Sequence, residues 1–189
     1  MSEEQLDNEL EDDQIAEQIR ANPPSCVAKF NLSSTELPVA WDDAFNTVYQ
    51  IGCKCGGKIG KVLGYPLRDY NPSYDGNLLI TPIGFHCDQC STVTEILDTA
   101  LHGYHAEVAK LEGGIRSAKI QGSGSRSAFE CPSCSGTAFQ VTVGFVYWNF
   151  DIIYDEPELP GQEFFNVFLM YGRCQTCHHI SPVTDLGKL

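Results

Sequence analysis

Cys131-Pro132-Ser133-Cys134 and Cys174-Gln175-Thr176-Cys177 decide how this chain is read. They stand 39 residues apart, and each sets two thiols two residues from one another. Upstream, Cys53-Lys54-Cys55 and Cys87-Asp88-Gln89-Cys90 follow the same order with 31 residues between them. An offset of 87 lays Cys87, Cys90, Val93, Ile96 and Asp98 on Cys174, Cys177, Ile180, Val183 and Asp185. An offset of 79 lays Cys55 on Cys134, so the second half carries eight extra residues between its pairs, expected within 155–161. An apolar segment precedes the later pair in both halves, Leu78-Leu79-Ile80 and Phe164 to Tyr171. Such recurrence marks a duplicated structural unit.

Paired cysteines at this spacing suit a metal. Two thiols separated by two residues turn inward together across a tight turn, whose N–H groups soften the thiolate charge. Four thiolates satisfy the tetrahedral preference of zinc. Gly56-Gly57 and Ser135-Gly136 follow the first pair of each half and permit the turn. The expected ligands are Cys53, Cys55, Cys87 and Cys90 for one zinc ion and Cys131, Cys134, Cys174 and Cys177 for a second. Iron could take the same ligands, but nothing in the sequence selects it. Cys53 is the weakest member because its pair is spaced by one residue, and His86 is the substitute ligand to weigh against it. His178 and His179 read as exposed neighbours of a complete site, and Cys26 as an unpartnered, buried or free thiol.

The pattern resembles the zinc-ribbon group of folds, with rubredoxin-like knuckles, over roughly 50–98 and 129–187. That resemblance implies small antiparallel sheets around zinc and no particular activity. The expected fold is mainly β: two tandem zinc ribbons behind an acidic N-terminal extension. The expected divisions are an extension, helical or disordered, over 1–28, a first ribbon with its flanks over 29–112, a Gly/Ser-rich linker over 113–128 and a second ribbon over 129–189. Thr47, Tyr49 and Ile51 alternate as a strand entering the first knuckle, and Phe139 to Tyr147 alternate as another. Tyr104, Val108 and Leu111 have helical spacing between the units. Trp41 is expected to pack on the first ribbon.

Charge bears on partners. The 189 residues carry 12 Lys and Arg against 25 Asp and Glu, a formal charge of −13. Two four-thiolate zinc sites would take this to about −17. Such a field disfavours nucleic acid and anionic membranes and attracts a basic protein. Eight of the acids lie in residues 1–20. No signal segment and no apolar run of membrane-spanning length is read, so the expected location is cytoplasmic, where paired cysteines favour metal over disulfides. Half of the twenty aromatic residues fall within 139–171, more than a thin ribbon core requires. Most are expected in the core or between the units. Tyr147, Trp148 and Phe150, together with the basic stretch holding Lys54, Lys58 and Lys61, are the candidates for partner contact.

The expected role is therefore a non-catalytic interaction module, of inhibitor, immunity or adaptor type, engaging a basic protein. One alternative is a nucleic-acid-associated zinc-ribbon factor using Lys54, Lys58 and Lys61. The other is a zinc-dependent enzyme, because His105-Ala106-Glu107 ahead of Cys131-Pro132-Ser133-Cys134 resembles a deaminase signature. Glu130 stands where that signature has proline, and the repeat already assigns Cys131 and Cys134 to another set of ligands.

Overall fold

The computed structural model describes residues 14–36, 45–111, 121–148 and 160–186. The expectations for the extreme N-terminus, Trp41, the early part of the linker, Phe150 and most of the inserted loop lie outside these residues. Helix α1 covers residues 14–21. Its Ile15 and Ile19, spaced i,i+4, are both buried, and the Arg20 guanidinium lies 4.8 Å from the centre of the Phe45 ring. Among the described residues nine strands follow: β1 Asn31–Ser34, β2 Phe45–Gly52, β3 Gly60–Pro66, β4 Leu79–Cys87, β5 Val93–Leu97, β6 Ser127–Ala128, β7 Phe139–Tyr147, β8 Val167–Cys174 and β9 Ile180–Leu186. Helix α2, Tyr104–Leu111, sits between the halves as its spacing anticipates. Among the described residues no helix is long and apolar enough to cross a membrane.

The repeat is visible as two antiparallel meanders, β3-β4-β5 and β7-β8-β9. They are not separate sheets. All nine strands join one antiparallel sheet, curled so that β4 and β9 approach each other. The joining is reciprocal. Strand β2, which enters the first knuckle of the first half, pairs with β7 of the second half from Phe45↔Tyr147 to Ile51↔Val141. Strand β6, which enters the first knuckle of the second half, pairs with β3 of the first half at Leu63↔Ala128 and Gly64↔Ser127. The Phe129 N–H extends that ladder to the Val62 carbonyl at 2.8 Å. Between these two exchanges Gly60 pairs antiparallel with Phe139, its own counterpart at the offset of 79. An antiparallel pair of equivalent residues marks a local two-fold relation between the halves.

One core cluster draws on both halves, and on the buried cysteines Cys53, Cys87, Cys131 and Cys174 as well. Most of the aromatics of 139–171 go into it. Phe145 packs against Phe165 and Phe168, with ring centres 4.9 and 5.3 Å apart. Burying each such ring contributes roughly 2–3 kcal/mol, so this density compensates for the small size of each meander. At the two-fold the halves exchange large for small. A Cβ on Gly60 would lie 2.7 Å from the Phe85 ring, and a Cβ on Gly172 would lie 2.9 Å from Phe139. Gly60 and Phe139 are counterparts, as are Phe85 and Gly172, so each half sets one ring over one glycine, with the two places swapped between the halves.

Candidate metal centres

Both sets of four cysteines come together where strand ends meet. Cys53 closes on Cys90 and Cys55 on Cys87, each with Sγ atoms 3.6 Å apart. Cys131–Cys177 and Cys134–Cys174 repeat those pairs at 3.6 Å. Within each set all four sulfurs lie within 4.8 Å of one another. A disulfide would need ~2.0 Å. The edge of a tetrahedron with Zn–S near 2.3 Å is ~3.8 Å, inside the observed range. Each site could hold one metal ion.

The knuckles explain how the chain achieves this. In three of them the N–H of the first cysteine donates to a carbonyl five residues on: Cys87 to Thr92, Cys131 to Gly136 and Cys174 to His179, at 2.9–3.0 Å. A second bond returns from the residue after the second cysteine: the N–H groups of Ser91, Ser135 and His178 donate to the carbonyls of Cys87, Cys131 and Cys174. Those three residues take the left-handed conformation, with φ of 57°, 59° and 60°. The Cys53-Lys54-Cys55 knuckle is one residue tighter. Cys53 donates to Gly57 at 2.7 Å, and Gly56 takes the left-handed place with φ of 96°. A wider φ in a shorter turn calls for glycine. Gly57 is needed for a different reason: its Cβ would stand 2.7 Å from Cys87 Sγ.

Burial alternates in every pair. The first cysteine is buried and the second exposed, so each site has two sulfurs against the core and two facing solvent. The thiols titrate far apart. Hydrogen bonds from the Thr92 hydroxyl and N–H bring Cys90 down to about 6, and the N–H of Cys177 does most to bring Cys174 to about 6. The Gly57 N–H favours ionised Cys55, but desolvation and the three neighbouring sulfurs outweigh it and push that thiol up to about 12. Cys134 is likewise pushed up to about 12 despite the Gly136 N–H. Four thiols this close resist ionising together; a cation among them removes that repulsion.

The other sequence candidates fall into place around these centres. His86 joins neither group, because β4 alternates and sends it to the face opposite Cys87, where it is paired with Lys61 and Val93. Cys53 is the fourth member of its set. Cys26 is buried, and desolvation with the nearby Glu163 carboxylate pushes its thiol well above the ordinary range. His105 is exposed on α2 and belongs to neither cysteine group. Tyr147 lies inside the core with its hydroxyl donating to the Gln162 carbonyl at 2.9 Å, whereas Trp148 is 44% exposed. Lys54 Nζ donates to the Phe30 carbonyl at 2.8 Å, tying the first knuckle to the N-terminal segment. Lys58 and Lys61 are exposed, and Lys58 borders a groove of about 250 Å³ with Asn31, Leu32 and Gln50. Sequence reading missed the left-handed Ser91, Ser135 and His178; their shared place directly after a second cysteine was the available signal.

Compared with known protein families, with curated proteins and with solved structures, the chain matches none.

Proposed function

We propose that the chain is a zinc-stabilised, non-catalytic interaction module working in a reducing compartment such as the cytoplasm, with a basic protein as its partner. The observation that supports this reading is that each cluster brings four cysteine sulfurs within 4.8 Å of one another. Four thiolates fill the coordination sphere of zinc and leave no position for a reactive water, which is the mark of a structural site. Zinc is favoured by the all-thiolate ligand set in closed tetrahedral form. The basic partner follows from the formal charge of −13, made more negative when both sites fill.

Elemental mass spectrometry of the purified chain tests the metal: two zinc per chain are expected, and fewer than two would sink the reading. Retention of the immobilised chain's partners from purified basic, neutral and acidic protein fractions tests the rest. Preferential capture of the basic fraction, weakened by salt, is expected; equal capture of the acidic one would overturn it. Salt-sensitive RNA or DNA binding lost in a Lys54→Glu, Lys58→Glu, Lys61→Glu variant would instead favour the nucleic-acid role.

A further inference from the structure

The two metal sites are joined by the strands that enter and leave them. The strand entering Cys53 is β2, and its ladder partner is β7, which leaves the Cys131–Gly136 knuckle. The segment entering Cys131 runs through β6 and Phe129, and its partner is β3, which leaves the Cys53–Gly57 knuckle. The registers are images of one another: Ile51 stands on Val141 as Phe129 stands on Val62. Site one is thus built on a strand held in register by site two, and the converse holds. The buried cysteine of all four knuckles belongs to the same apolar cluster. Gly60 and Phe139 close the seam between the sites, with Phe85 and Phe139 each filling a space that a glycine leaves.

We infer that the two sites load metal as one cooperative unit, so that the chain is a two-ion switch between an unassembled and an assembled state. This rests on the metal reading above. Ordering the knuckles at one site fixes two strand ends, which align the partner strands and bring the other four sulfurs together at no further ordering cost. The second ion therefore binds to a site already formed, which is positive coupling through a shared conformational equilibrium. The device converts a graded metal supply into an all-or-none change of shape.

The experiment is a titration of the reduced, metal-free full chain with zinc, followed by native mass spectrometry. Independent, equal sites would show about half of the molecules with one ion at half saturation. The inference expects the one-ion species to stay a minor component while forms with none and two exchange. A one-ion species at or above the independent level overturns the inference and leaves the metal reading intact; no bound metal at all removes the metal reading itself. Cobalt(II) supplies the second arm through its thiolate absorption bands. Cys134→Ser alters an exposed ligand of site two. The expected result is a loss of cobalt affinity at the unaltered Cys53, Cys55, Cys87 and Cys90 of about 100-fold. Unchanged affinity there would overturn the coupling.

Discussion

On the outer face of β3, β4 and β5 the first half sends Lys61 and Val93 to solvent, with Ile59 also exposed beside its knuckle; on the outer face of β7 and β8 the second half buries Val146, Val167 and Leu169 as a cluster of their own. The knuckles differ in the same sense. One of the first half's two turns is tighter and takes Gly56 at its left-handed place, whereas its other turn accepts Ser91 and the second half accepts Ser135 and His178. The second half thus has a buried apolar cluster on its outer face, and the first half has the one turn that takes glycine at its left-handed place. Each half is also paired with a strand of the other, β7 with β2 and β3 with β6. A duplicated unit can keep its ligand geometry while dividing the work of packing unequally.

The largest way to break this comparison is to remove a ring from the seam. Phe139→Ala should destabilise the protein by about 3–5 kcal/mol, measured by denaturant unfolding of the metal-loaded chain. Phe85→Ala should cost nearly as much if both rings serve the seam; a cost under 1 kcal/mol would mean that only the second half holds it. Next comes Gly57→Ala, which places a methyl against Cys87 Sγ and should cost about 1–3 kcal/mol, with metal lost more readily. Gly136→Ala should cost less, because its nearest obstacle is the Thr176 hydroxyl, at 2.9 Å, and a side chain can rotate aside. Equal losses of metal in the two variants would erase the asymmetry between the turns.

Acid should treat the halves alike. Each has one thiol lowered to about 6 and one raised to about 12. Only the thiolate binds metal, so affinity falls as pH falls. Once pH drops below about 6, Cys90 and Cys174 also take up protons, and each site loses about a further 1.4 kcal/mol per pH unit. Zinc release followed with a chromogenic chelator should therefore steepen below that point at both sites. The smallest expected effect is a gain. Ser135→Gly relieves a left-handed serine and should stabilise the loaded protein by up to about 1 kcal/mol, seen as a small rise in Tm. A fall would show that the Ser135 side chain supports its knuckle.

The cysteine sets were legible because ligand spacing within a knuckle is local, and duplication tied each pair to its counterpart. Strands β2 and β7 were legible from the alternation of Thr47, Tyr49 and Ile51 and of Phe139 to Tyr147. Alternation says that a strand has an inner face; it does not say which strand lies beside it. The pairing of β2 with β7 joins residues 90 to 102 positions apart, so two tandem ribbons were the natural expectation and the shared sheet was not. Trading Gly60 for Phe139 and Phe85 for Gly172 was hidden for the same reason. Each ring lies over a glycine of its own half, a contact made only when β3 pairs with β4 and β7 with β8. His86 was weighed as a ligand for its place beside Cys87, yet neighbours along a strand point to opposite faces.

The Gly60–Phe139 pair has a meaning for symmetry. A residue paired with its own counterpart lies where the symmetry axis of a homodimer would pass, and the mutual lending of β2 and β6 is the form that swapped strands take between identical subunits. The chain thus has, within one polypeptide, the arrangement of a symmetric dimer with exchanged strands. The swapped places of ring and glycine in the two halves depart from strict two-fold symmetry, a freedom that one continuous chain has and a pair of identical subunits lacks.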